Sequence, residues 1–220
     1  MSSGARETND GWRDTHVRLV GPVVQQFQRL FLEIWHKDLP EEEHTRGTAY
    51  FPSVPEQGDM VVGAITSEGD EENHIYSVLA AAIEHAQDRV WITQAYFAPN
   101  DGLIEIIKNA AKRGVDVRLL LPGVSDASLV ILASRYSYQA MLEAGVKIYE
   151  RTASTLHAKT IVIDGVWSSI GSANFDYRSL VYNFELNALI ISDDLGREME
   201  KQFKADLQQA EQITLEQWRC

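Results

Sequence analysis

The sequence predicts an α/β layered sandwich, and three observations carry that prediction. From about Met60 onward, strand-like apolar runs alternate with amphipathic helix-like stretches, the pattern of a layered α/β domain. Runs such as residues 119–121 and 161–163 are apolar throughout, as a sheet covered on both faces requires. Gly114 and Gly145 each close a helical stretch and lead straight into an apolar run, GVDVRLLLP and GVKIYE, where a left-handed residue ends a helix.

Taken in order, residues 1–10 are polar and read as a disordered start. Residues 15–20 (THVRLV) alternate polar and apolar, which predicts a short strand. Gly21-Pro22 punctuates, and residues 23–35 place Val23, Phe27, Leu30, Phe31 and Ile34 at helical spacing. Residues 39–59 carry Pro40, three consecutive Glu, Gly47, Pro52 and Pro55, the composition of a linker. Residues 60–220 form the main domain. It is expected to hold strands at 61–66, 89–95, 115–121, 146–149, 157–163, 168–170 and 185–191. Its helices are expected at 73–86, 101–113, 128–144 and 193–209. An internal repeat is also suggested: Glu185 opens an apolar strand before a helix bearing Phe203, as Asp14 does before one bearing Phe31.

Composition narrows the function. The chain has 220 residues, 45% of them hydrophobic, which suits one large domain or one domain plus part of another. With 32 acidic against 20 basic residues the net charge is −12, which disfavours a nucleic-acid partner. The single cysteine, Cys220, excludes an intrachain disulfide and any multi-cysteine zinc cluster, and fits a reducing compartment. No apolar run reaches the roughly 18 residues of a membrane span, and MSSGARETNDGWRD has no apolar core. The expectation is a protein of the cytoplasm, or one peripheral at the inner face of the plasma membrane.

The chemistry concentrates in residues 156–188, LHAKTIVIDGVWSSIGSANFDYRSLVYNFELNA. His157 and Lys159 are two apart and share a side if extended. Asp164 follows with Gly165 at a turn, Ser172 and Asn174 share a second extended stretch, and Glu185 opens a third. An imidazole trades protons near neutral pH, Lys159 offsets charge on non-bridging phosphate oxygens, and Ser172 and Asn174 add neutral donors. Glu185 is the natural carboxylate to orient the imidazole. This set suits phosphodiester chemistry. Each piece alone is common, since His-x-Lys recurs on strands and Asp-Gly is a frequent turn; jointly they are far more specific.

The joint pattern H-x-K-x-x-x-x-D followed by G-S-x-N resembles the signature of the phospholipase D superfamily, matched by His157, Lys159, Asp164, Gly171, Ser172 and Asn174. Outside it, residues 95–126, AGVKIYE and NFDYRSLVYNFELN are similar to the bacterial cardiolipin synthase branch. Residues 11–35 resemble the segment that follows the first of two signatures there. The resemblance implies a phospholipase D-like α-β-α sandwich with a central mixed sheet. Under it, His157, Lys159, Asp164 and Glu185 are the catalytic set and Ser172 and Asn174 bind the substrate phosphate, with no metal and no cofactor. It further implies a phosphohistidine mechanism in which His157, as the second-signature histidine, serves as acid and base.

Only one signature is present: none of His16, His36, His44, His74 and His85 begins the same spacing. Residues 11–38 thus read as the residual strand and helix of a first half, and residues 60–220 as the second half. Three readings stay open. One is a cardiolipin synthase-like phosphatidyltransferase acting on a phosphatidylglycerol-like phospholipid, needing a second signature in trans from a homodimer or a missing first half. The second is a hydrolase or homodimeric nuclease of the same superfamily. The third is a catalytically incomplete fragment.

Overall fold

The computed structural model describes residues 11–44, 47, 49–68, 74–124 and 128–219. The expected disordered start, Asn73 of the expected helix 73–86 and Cys220 lie outside them. In chain order the elements are α1 (Val24–His36), a single 3-10 turn (Glu41–Glu43), β1 (Val61–Glu68), α2 (His74–His85), β2 (Arg89–Thr93) and β3 (Phe97–Ala98). Next come α3 (Asp101–Lys112), β4 (Asp116–Pro122), α4 (Ser128–Tyr136), α5 (Tyr138–Glu143), β5 (Lys147–Arg151), β6 (Thr160–Ile163) and β7 (Trp167–Gly171). The chain continues with β8 (Phe175–Asp176), α6 (Tyr177–Val181), β9 (Phe184–Ile191), α7 (Asp193–Leu207), β10 (Ala210–Ile213) and α8 (Leu215–Arg219).

Eight strands form one mixed sheet in the order β1-β9-β7-β6-β2-β4-β5-β10. The pairs β2–β4 and β4–β5 are parallel; the others are antiparallel. Alternation along the central strands explains their unbroken apolar runs. Val90 and Ile92 of β2, Leu119 and Leu121 of β4, and Ile161 and Ile163 of β6 enter a core with Ile75, Leu79 and Ile83 of α2 and Leu103 and Ile107 of α3. Trp91, Leu120 and Val162 from the same strands turn to the opposite core, with Leu195, Met199 and Phe203 of α7. The architecture is therefore an α-β-α sandwich.

Several local expectations are corrected. Residues 15–20 do not form a strand: the isolated bridge in this part of the chain, Arg13 with Leu156, falls just before them. Their alternation is satisfied by packing Val17 and Leu19 against the second core, which buries one face without a ladder partner. The stretch expected as a strand from residue 157 pairs only from Thr160, because the His157 N–H instead donates to the Arg13 carbonyl at 2.8 Å. The expected helix 128–144 divides at Ser137, whose hydroxyl donates to the Ser134 carbonyl at 2.8 Å and competes with the helical ladder. The C-terminal β10 and α8 were not expected; β10 pairs the edge of β5.

The internal repeat does not reproduce environments. Phe203 is 4% exposed beneath the sheet, whereas Phe31 on α1 is 56% exposed and stacks on exposed Trp35 at 5.8 Å.

Candidate active site

The C-terminal end of the loop before β6, the loop after β7 and the extended segment 14–19 enclose a cleft of about 740 Å³. Its polar lining includes Asp14, His16, His157, Lys159, Ser172 and Asn174, and its apolar wall includes Val17, Leu19, Phe27, Ile170 and Leu186. Backbone bonds set its framework: the His157 N–H donates to the Arg13 carbonyl, and the Gly171 N–H donates to the Lys159 carbonyl at 3.2 Å.

The imidazole of His157 is held by Asp14, whose Oδ2 lies 2.9 Å from Nδ1. Asp14 is itself fixed, because Oδ1 accepts the Thr15 N–H at 2.8 Å. Burial works to raise the Asp14 pKa, but the bond from His157 and that from the Thr15 N–H outweigh it, so the carboxyl sits below its ordinary value. The indole of Trp12 packs on the ring at a tilt of 45°, with centroids 4.7 Å apart. With Nδ1 engaged, Nε2 is the nitrogen left for chemistry in the cleft.

Lys159 is buried, and its Nζ donates to the His157 carbonyl at 2.5 Å. Burial lowers its pKa, opposed in part by the charges of Asp14, Glu185 and Asp176. Ser172 is tied to β9, its hydroxyl accepting the Leu186 N–H at 3.0 Å. The Asn174 side-chain carbonyl accepts the Tyr96 N–H at 3.2 Å and anchors the loop after β2. Gly171 of the G-S-x-N run is required sterically: a Cβ there would stand 2.0 Å from Oδ1 of Asn187. That carboxamide accepts the Ala173 N–H and donates to Ser169, bracing the loop from beneath.

Two expected residues take other places. Glu185 does not orient His157; it is buried near Lys159 and accepts from the Asn183 carboxamide at 3.1 Å. Asp14 occupies the role instead because the extended segment crosses directly over the loop bearing His157. Asp164 is at the far end of β6, outside the cleft. Its carboxylate accepts the N–H groups of Gln87, Asp88 and Arg89 at 2.9, 2.8 and 2.8 Å. Burial raises its pKa, but those three donors prevail and hold it below the usual carboxylate range. Its φ of 53° is left-handed, a conformation Asp tolerates in turns. Asp164 therefore pins the β6–β7 turn to the start of β2.

Asp14 and Trp12 were not singled out from sequence as site residues. The signal available for Asp14 was the repeat that sets it opposite Glu185. Among the described residues, no three His, Cys, Asp or Glu side chains gather in a way that could hold a metal ion.

The family described as "Cardiolipin synthase, PLD-like domain" matches residues 79–207, more than half of the chain and all of the signature. The chain belongs to this family. It is 36% identical over 208 residues to cardiolipin synthase 2 of Bacillus cereus, covering 92% of this chain and 40% of that protein. It is 37% identical over 209 residues to the cardiolipin synthase of Geobacillus kaustophilus, covering 94% of this chain and 42% of the relative. The chain thus spans about two fifths of the length of these synthases. Among solved structures, Nuc of Salmonella typhimurium, a phospholipase D family member, superposes with TM-score 0.60 at 19% identity. The match covers 71% of this chain and 99% of that one. Phosphatidylserine synthase of Haemophilus influenzae superposes with TM-score 0.58 at 15% identity, covering 74% and 41%. These matches agree with the phospholipase D-like sandwich.

Proposed function

We propose that this domain transfers phosphatidyl groups between phospholipid alcohols, as one of two signature-bearing lobes of a cardiolipin synthase-like site. The observation that carries the reading is the carboxylate-held imidazole of His157 in a cleft with one buried ammonium, neutral donors and an apolar wall.

The geometry suggests a division of labour. Asp14 keeps the proton on Nδ1 and stabilises the imidazolium, so Nε2 can take and give a proton. Lys159 offsets charge that builds on the non-bridging oxygens as phosphorus becomes five-coordinate. Glu185, a buried carboxylate whose charge acts on Lys159, is the acceptor for a second imidazole supplied in trans. That second imidazole attacks phosphorus, forming a P–N bond as the P–O bond to the departing alcohol breaks, and His157 gives the alkoxide its proton. An acceptor lipid hydroxyl then loses its proton to His157 while its oxygen attacks phosphorus and the P–N bond breaks. The acidic net charge supports a lipid over a nucleic-acid substrate.

A second reading, two copies of this chain pairing as a phosphodiester hydrolase, is favoured by the match to nearly the whole chain of Nuc by one such lobe. Incubating the purified protein with phosphatidylglycerol vesicles separates the two. Cardiolipin plus glycerol supports transfer, phosphatidic acid supports hydrolysis, and either product must vanish in His157→Ala.

A further inference from the structure

Asp14 holds the reactive imidazole, yet it sits in a segment with no strand ladder of its own. Its neighbour Arg13 explains how it is kept in place. In extended chain successive side chains alternate: Trp12 and Asp14 both meet the His157 ring, while the Arg13 side chain leaves the other way, toward α7. There its fork is bidentate on Asp206, Nε to Oδ1 at 2.8 Å and Nη2 to Oδ2 at 2.6 Å. Both side chains are 4% exposed. The remaining guanidinium nitrogen turns back on the strap, donating to the Thr15 hydroxyl at 2.9 Å and to the Asp14 carbonyl. Asp206 is braced in turn by the Gln202 carboxamide at 3.3 Å and faces Arg151 at 3.9 Å.

We infer that the Arg13–Asp206 pair is a positioning device for the site, which sets the register of segment 12–14 so that Asp14 meets Nδ1 of His157 and Trp12 packs on the ring. A buried ion pair adds little net stability against an apolar replacement. What a bidentate fork does supply is fixed orientation. Here that orientation passes through one peptide to Asp14. The pair also ties the segment that holds the reactive imidazole to α7. The claim about the imidazole stands on geometry alone; its consequence for rate rests on the phosphatidyl-transfer reading above.

The titratable groups around the ring are Asp14, His16 at 3.7 Å from the same Asp14 oxygen, and Lys159, with Glu185 and Asp176 acting on Lys159. Imidazole ¹⁵N shifts of the intact protein, recorded well above the ordinary histidine pKa of about 6.5, report the tautomer directly. In the wild type the Nδ1–H form is expected to dominate. Arg13→Gln, folded by circular dichroism, is expected to move His157 toward a mixed tautomer, and Arg13→Lys to retain part of the bias. Arg135→Gln, which cuts a comparable ion pair to buried Glu150, is expected to leave the shifts in place. Transfer by Arg13→Gln is expected to lose about 100-fold in kcat with KM little changed, the scale of a misplacement near 1 Å. Unchanged His157 shifts in folded Arg13→Gln would overturn the inference, as would an equal change in Arg135→Gln. Where Arg13→Gln does not fold, Arg13→Lys decides on the same shifts. Wild-type protein with the locked tautomer but no transferase activity, either alone or mixed with a separately expressed lobe bearing the other signature, would count against the proposed reaction and leave the positioning role standing.

Discussion

With Oδ1 on the Thr15 N–H and Oδ2 on the imidazole, Asp14 is fixed at both oxygens, and substituting it tests the proton-transfer role of His157. Asp14→Asn keeps the shape and offers Nδ1 an amide in place of the carboxylate. It is expected to lower kcat between about 10²- and 10⁴-fold, the usual share of a positioned acid–base group, measured as cardiolipin formed from phosphatidylglycerol. Lys159 gives a pH signature at the same scale. Burial favours its neutral form, so the ammonium is lost at lower pH than for a free lysine near 10.4. The alkaline limb of log kcat is therefore expected below that value and is expected to move upward in Lys159→Arg, whose charge persists. An alkaline limb at the same pH in both proteins would remove Lys159 from the charge-offsetting role.

Elements explain which parts of the pattern were legible beforehand. The strands of the central sheet were readable because β2, β4 and β6 are buried on both faces, leaving continuous apolar runs. His157, Lys159, Ser172 and Asn174 were readable as a group because the signature puts them on adjacent loops at one sheet end. The partner of His157 was not, since choosing Asp14 over Glu185 depends on a crossing between residues 143 positions apart in sequence. The strand expected at 15–20 failed for a related reason: alternation records a buried face and says nothing of a ladder partner. Asp164 illustrates an element-level role, because its three backbone donors join the β6–β7 turn to β2. Its pKa is depressed, so the stability it contributes is full above the unfolded value near 3.9 and lost as pH falls through the lower folded value. Asp164→Ala is expected to cost about 2–3 kcal/mol in urea unfolding at neutral pH, a difference that narrows in acid as the wild-type carboxyl protonates. Gly171→Ala, which drives a methyl into Asn187, is expected to cost about 1–3 kcal/mol, and adding Asn187→Ala should recover part of it by vacating the space.

Seen whole, the molecule is one α-β-α lobe whose reactive end carries a held imidazole, a buried ammonium and a buried carboxylate, Glu185, that engages no imidazole among the described residues. The relatives it matches are more than twice its length. Both facts fit a site completed by a second lobe, whose imidazole Glu185 would receive. The most direct test is the order of the reaction in protein. Cardiolipin formation from phosphatidylglycerol is followed across a dilution series of this chain, alone and mixed with a separately expressed lobe bearing the other signature. Dependence on a second lobe is expected, seen as a specific rate that falls on dilution or as activity that appears only on mixing, and lost with either His157→Ala or Glu185→Gln. A dilute monomer that turns over phosphatidylglycerol at a constant specific rate, unaffected by Glu185→Gln, would contradict the two-lobe site.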